Sequence, residues 1–359
     1  MNINTSIKND QSGFAAIIVT LIIMAILVLL MIGFFYIVSR EQRATIDRQL
    51  SAQAFYAAET GINDAVAAIA DADAGGLEDI NTCDDFQNSN LNDKKTLSTG
   101  DDSVQYTCVL VDKRPSSLEY GSVETSQPTV ALIQGVNEDG DPRYINELTI
   151  SWQAEGSPDG GFPITGGDTP GFPDTWSHAA PVLRITLTDV NELFRASLIN
   201  NNATDFLWPE GSSSPAELLP SHIISFGASQ RANNGRIRKA SCHKDRIPRF
   251  CSIKLTGLNR SQYLLTLRSV YDNADVYITA RNISSGGSTV YFANQQAVID
   301  STGRASDVLR RVQVRVPLRN QYTRPGFSLE AGAGICKPYA IRPGSGNNNN
   351  SSGVCDITN

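Results

Sequence analysis

Twenty-five consecutive residues without a charge, Phe14 to Val38, stand directly after Gly13. In helical form, at about 1.5 Å per residue, such a run crosses the roughly 30 Å hydrocarbon core of a bilayer. The apolar region of a secretory signal is shorter, roughly 7–15 residues, so this run reads as a retained span. The Ala52-Gln53-Ala54 triplet imitates a signal-peptidase site, but it lies beyond Arg40, Arg43, Asp47 and Arg48 and is not read as one. No proline or strong breaker intervenes before Gly75-Gly76, so a single helix is predicted from Phe14 to about Asp73, with Gly33 and Gly61 as tolerated interruptions. Its polar half keeps Leu50, Ala54, Ala58, Ile62, Ala65 and Ile69 on one face, spaced by four or three. Small side chains on that stripe let another surface approach closely.

Beyond the helix, strand signals dominate. Val104–Val111, Leu148–Trp152 and Val182–Val190 form a first set. Ser252–Leu258, Tyr263–Ser269, Val276–Ala280, Val290–Phe292, Ala297–Ile299 and Val308–Leu318 form a second. Residues 154–175, rich in glycine and proline, read as a loop, and 200–220 as a polar insert. The tail at 336–359 is rich in asparagine, serine and glycine and reads as flexible. The expected class is α+β: one long helix, then an antiparallel, β-rich head with room for two sheet subdomains.

The net charge of −7 hides a segregation. Residues 71–160 hold 18 acidic and 5 basic side chains, whereas residues 231–324 hold 5 acidic and 17 basic. Such a split sets head-to-tail packing between subunits, presents a basic contact surface, or is ordinary solvated charge. Six cysteines follow the apolar segment, which fits an oxidising location. Six allow 15 pairings. Sequence does not choose among them, and sequence neighbours are the favoured set: Cys83 with Cys108, Cys242 with Cys251, Cys336 with Cys355. Zinc is disfavoured, since no Cys-x-x-Cys occurs and there are only three histidines.

The N-terminal region carries a resemblance. Ser12-Gly13-Phe14-Ala15-Ala16-Ile17-Ile18-Val19-Thr20-Leu21 resembles the class III signal of type IV pilins. Arg40-Glu41-Gln42-Arg43-Ala44, then Asp47-Arg48-Gln49-Leu50-Ser51-Ala52-Gln53-Ala54-Phe55-Tyr56-Ala57-Ala58-Glu59-Thr60-Gly61-Ile62, is similar to PilX-like minor pilins. Ile299-Asp300-Ser301-Thr302-Gly303-Arg304-Ala305, leading into Arg310-Arg311-Val312-Gln313-Val314, looks like the closing sheet of such proteins. The resemblance implies that prepilin peptidase cuts after Gly13 and that the new N-terminus, Phe14, is methylated. It implies a cytoplasmic leader at 1–13 and a pilin-type helix at 14–75, with 14–38 in the inner membrane. An acidic head region at 76–199 and a basic one at 200–335 follow on the outer side. The implied partners are major and minor pilins, met through the helix, and the pilus assembly platform; the destination is the extracellular pilus. The charge rule for membrane proteins hints at the opposite orientation, because Arg40, Arg43 and Arg48 follow the span. The cleavage signal is what keeps the leader cytoplasmic. Shaft-forming pilins usually carry glutamate at the fifth mature position, here Ile18. A neighbour's amine left bare in an apolar core costs several kcal/mol, so the resemblance implies a minor subunit, possible at the tip, or the alternative of a type II secretion pseudopilin.

Three further constellations carry chemistry. Arg231, Arg236, Arg238, Lys239, Lys244, Arg246 and Arg249 form a dense basic stretch, and Arg311 and Arg315 share a face of the strand after Val308. Together they are polyanion-binding candidates for nucleic acid or cell-wall polymer, against the plainer reading of contact with acidic protein. The loop Asn137-Glu138-Asp139-Gly140-Asp141, with Glu147, offers oxygens to calcium, although its glycine comes too early for an EF-hand and a solvated turn is plainer. No other cofactor is expected. Glu41, Arg43, Asp47, Arg48 and Glu59 read as docking charges along the helix or as its solubilising face. His178, His222 and His243 belong to no catalytic motif, and a Cys242/His243 nucleophile is set against a disulfide at Cys242. The chain is not read as an enzyme. A rival of another class is a single-pass membrane-anchored binding protein that never polymerises.

Overall fold

A computed structural model describes residues 12–71, 77–98, 104–156, 180–190, 202–212, 214, 216, 218–226, 236–246 and 249–318. Helix α1 runs unbroken over Ser12–Ala70. The chain divides into two compact units: Met1–Ala68 with Cys83–Val109 and Asp300–Val312, and Ile69–Thr82 with Leu110–Ile299 and Gln313–Asn359.

In the first unit the expected stripe on α1 is the buried face. Ala54, Ala57, Ala58 and Ala65 are fully buried and Ile62 nearly so, while Leu50 and Ile69 at its ends are half-buried. The small side chains are a geometric necessity. A Cβ on Gly303 would overlap the Ala54 carbonyl oxygen and the Ala58 nitrogen, and one on Gly61 would meet Ser301, Tyr106 and Val109. Gly303 lies on β14 (Gln296–Ala305) and Tyr106 on β2 (Val104–Asp112). With β1 (Thr96–Ser98) and β15 (Val308–Pro317) they form a four-stranded sheet in the order β1-β2-β14-β15. The short helix α2 (Cys83–Gln87) is tied to β2 by the Cys83–Cys108 disulfide. It buries Phe86, whose ring meets Tyr106 edge-on at 6.0 Å between centroids. The Tyr106 hydroxyl sits 2.9 Å from Asp64 Oδ2 and 3.0 Å from the Leu91 carbonyl oxygen, donating to one at a time.

The second unit holds an eleven-stranded sheet among the described residues. Its strands are β3 (Ser117–Val123), β4 (Thr129–Val136), β5 (Ile145–Ala154), β6 (Val182–Asp189), β7 (Asn202–Gly211) and β8 (Ser221–Ile223). They continue with β9 (Arg236–Cys242), β10 (Cys251–Arg260), β11 (Gln262–Val270), β12 (Ala274–Asn282) and β13 (Ser288–Phe292). The order is β13-β4-β11-β6-β7-β9-β10-β5-β12-β3, with β8 beside β10. β13 also pairs β12 at Ala280↔Val290, so the path of pairings returns on itself. Pairing is antiparallel except for β7 with β9 and β8 with β10, which makes the sheet mixed. The order interleaves strands from the acidic and basic stretches: β5 lies between β10 and β12. Leu148, Ile150, Trp152, Ile253, Leu255, Leu265, Leu267, Val276 and Ile278 fill its core. Trp152 donates its indole N–H to the Pro181 carbonyl at 2.7 Å.

Two expectations need correction. Residues 202–211, inside the expected polar insert, are the strand β7, with Ala203, Asp205, Phe206, Leu207 and Trp208 buried. The stretch looks polar because Asn202, Thr204, Asp205 and Glu210 are set among its apolar residues, and Asp205 is buried with Arg238 paired to it at 3.2 Å. Residues 236–242, inside the dense basic stretch and not among the expected strands, are the strand β9, paired along its length with β7. Strands β3 and β4 lack an expected counterpart as well. Serine, glutamate and glycine dilute β3, and Gly135 interrupts β4 where the backbone of Arg143 approaches. The loop at 157–175 and the tail at 336–359 lie outside the described residues.

Candidate assembly surface

Every large apolar side chain from Ile17 to Ile37 is exposed, from 41% for Ile18 to 75% for Phe35 and Tyr36. Burying one such side chain is favourable by about 1.5–3 kcal/mol. Left in water, the whole run would forfeit tens of kcal/mol, against a typical domain stability of about 5–15 kcal/mol. α1 is long and apolar enough to cross a membrane, and this half requires lipid or other apolar helices around it. Gly13 and Phe14 lie in the first turn of α1.

Past Val38 the helix becomes polar without losing exposure. Glu41, Arg43, Asp47, Arg48 and Glu59 all face solvent. One side is taken up by the first unit's own sheet, while Phe55 and Tyr56 on another side remain 46% and 64% exposed. Their rings touch edge-on at 5.9 Å. Asp47, Arg48, Ser51, Ala52, Phe55 and Tyr56 line a shallow recess with Arg310, whose guanidinium donates to the Ser51 hydroxyl at 2.8 Å. The helix therefore offers two adjoining surfaces, a continuous apolar one and then an aromatic one edged with charge.

Residues 12–63 match the PilX N-terminal family model. The matched stretch lies within α1 and covers both surfaces, ending before the strands begin. It supports the resemblance to PilX-like type IV pilins. No curated protein and no solved structure matches the chain.

The remaining candidates lie on the strands. Cys83 joins Cys108, and Cys242 joins Cys251; Cys336 and Cys355 lie outside the described residues. The second disulfide bridges residues directly opposite on β9 and β10. It occupies Cys242, so that sulfur is no thiol nucleophile beside His243.

Of the polyanion candidates, Arg231 is outside the described residues, and most others already serve acidic partners. Arg238 pairs with Asp205 and Lys239 with Glu210, at 3.2 and 2.6 Å. Arg315 and Arg249 converge on Glu119, at 3.3 and 4.0 Å. Arg311 holds Asp300 in a two-pronged pair, 2.5 Å at its closest, and hydrogen bonding to that carboxylate raises the pKa of the guanidinium further. Arg246 donates to the Ser241 hydroxyl at 2.8 Å, and Arg236 and Lys244 are exposed. This pairing leaves less free cationic surface than the sequence promises. The Asn137–Asp141 turn is closed on itself, Asn137 Oδ1 accepting the Asp141 N–H at 2.7 Å, and the Arg114 guanidinium lies against Gly140. Among the described residues no group of three or more His, Cys, Asp or Glu is placed to hold a metal. His178 lies outside the described residues, and His222 sits on β8 with Nε2 near the Lys239 carbonyl oxygen.

Proposed function

We propose that this chain is a minor subunit of a bacterial type IV pilus, with the tip as one place for it, and a structural protein and no enzyme. The observation that carries the reading is the family match over 12–63, on a helix whose apolar half is covered by nothing among the described residues. The precursor sits in the inner membrane by α1 with its head outside. Prepilin peptidase trims it after Gly13, and the assembly platform draws it out so that 14–38 trades lipid for the helices of major and minor pilins. Ile18 supports the minor role, since it offers no carboxylate to a neighbour's terminal amine. The same residue also suits a minor pseudopilin of type II secretion; recovery of the chain in sheared surface filaments separates the two. The head primes assembly or meets a surface, as in adhesion, twitching motility or DNA uptake.

The deciding experiment is the mass of the mature N-terminal peptide. A methylated Phe14 is the expected result; an intact Met1 overturns the proposal and favours the membrane-anchored binding protein that never polymerises. Nucleic-acid capture by the basic stretch predicts retention on double-stranded DNA at low salt and release at high salt. Because Arg238 holds a buried carboxylate, the clean probe is Arg236→Gln with Lys244→Gln. Calcium at the Asn137–Asp141 turn is the remaining ligand reading, tested by calorimetric titration of the ion.

A further inference from the structure

Tyr36, Arg40 and Arg43 follow one another at spacings of four and three, which places them on one side of α1. All three are exposed, Tyr36 at 75%. They stand where the apolar run ends. Measured from Val38, Arg40 lies about 3 Å and Arg43 about 7.5 Å further along the helix axis. The polar layer of a bilayer extends roughly 5–8 Å beyond the hydrocarbon on each side. With α1 across a bilayer, both guanidinium groups would be within reach of lipid phosphates, the long side chains allowing their methylene stems to lie along the apolar boundary. Tyr36 stands two residues before the end of the uncharged run, a position where a tyrosine's ring can face the acyl region while its hydroxyl meets the headgroups. The nearest carboxylates do not cancel this face. Glu41 is about 100° around the helix from Arg40, and Asp47, one turn past Arg43 on the same side, lies about 13.5 Å past Val38, above the phosphate layer.

We propose that Tyr36, Arg40 and Arg43 form a binding face for anionic phospholipid headgroups while α1 resides in a membrane. A planar guanidinium presents paired N–H donors that match two phosphate oxygens, and two of them one turn apart span neighbouring headgroups. The face also gives a purpose to cations beyond the span, which the charge rule alone would place on the other side. The inference needs only that α1 crosses a bilayer and does not depend on polymerisation.

The test uses the full chain reconstituted in nanodiscs of equal parts phosphatidylglycerol and phosphatidylcholine, released into a native mass spectrometer. The wild-type chain is expected to retain the anionic lipid over the zwitterionic one by several-fold. Arg40→Gln with Arg43→Gln should abolish that preference, whereas Arg48→Gln, higher on the helix and on another side, should keep it. Equal retention of both lipids by the wild-type chain, or an undiminished preference in the double variant, overturns the proposal. Processing at Gly13 is read separately from the Phe14 peptide, so either proposal can fail without the other.

Discussion

At the scale of single residues, the tightest constraints are two glycines and a tyrosine. Gly303 permits β14 to reach the backbone of α1, and no side chain there can swing aside to make room. Gly303→Ala is expected to destabilise the first unit by at least about 2 kcal/mol through overpacking, checked by denaturant unfolding. Tyr106 is buried, and burial first, with the Asp64 carboxylate second, raises its pKa above the ordinary value. Burial raises Tyr120 and Tyr263 in the same direction. Above about pH 10 the unfolded chain releases phenolic protons that the folded chain retains. Stability contributed by these groups is thus complete below pH 10 or so and falls as pH rises beyond it. A phenolate absorbance titration should show Tyr106, Tyr120 and Tyr263 ionising above the ordinary phenol range or only as the protein unfolds. The stripe of Ala54, Ala58, Ile62 and Ala65 was legible in sequence because helical spacing reveals a face. The partner of that face, Gly303 some 240 residues later, was not.

At the scale of elements, alternation decided what could be read. In β11 and β12 buried and outward positions alternate nearly without fault, and both strands were expected. β7 breaks the rule by burying Asp205, and β9 by presenting Arg236, Arg238 and Lys239; each makes sense only beside the other. Arg238→Ala should strand the Asp205 carboxylate, 4% exposed, at a cost of about 3 kcal/mol, measured as a fall in unfolding free energy. Arg238→Ala with Asp205→Asn should recover part of that loss. The Cys83–Cys108 disulfide closes a separation of 25 residues. By loop-closure entropy it stabilises by about 3 kcal/mol, so Cys83→Ser with Cys108→Ser should lower the thermal midpoint of the first unit by several degrees.

At the scale of the whole molecule, processing and charge are the issues. In cells lacking prepilin peptidase the chain is expected to keep its leader mass and to be missing from sheared filaments; unchanged mass and destination would remove the pilus reading. The segregated charge, suggestive of subunit-to-subunit attraction, is partly consumed inside the second unit. Glu119 and Glu147 from the acidic stretch meet Arg249, Arg315 and Lys254 from the basic one. What sequence alone determined is local: an uncharged run long enough for a bilayer, a helix without breakers, a small-residue face, and strands that alternate. Those properties follow from covalent spacing and side-chain chemistry within one segment. The interleaved order of the sheet, the returning path through β12 and β13, and the neutralisation of the basic stretch are long-range pairings. Their energies depend on which distant backbones come within hydrogen-bond reach, and only the tertiary structure decides that.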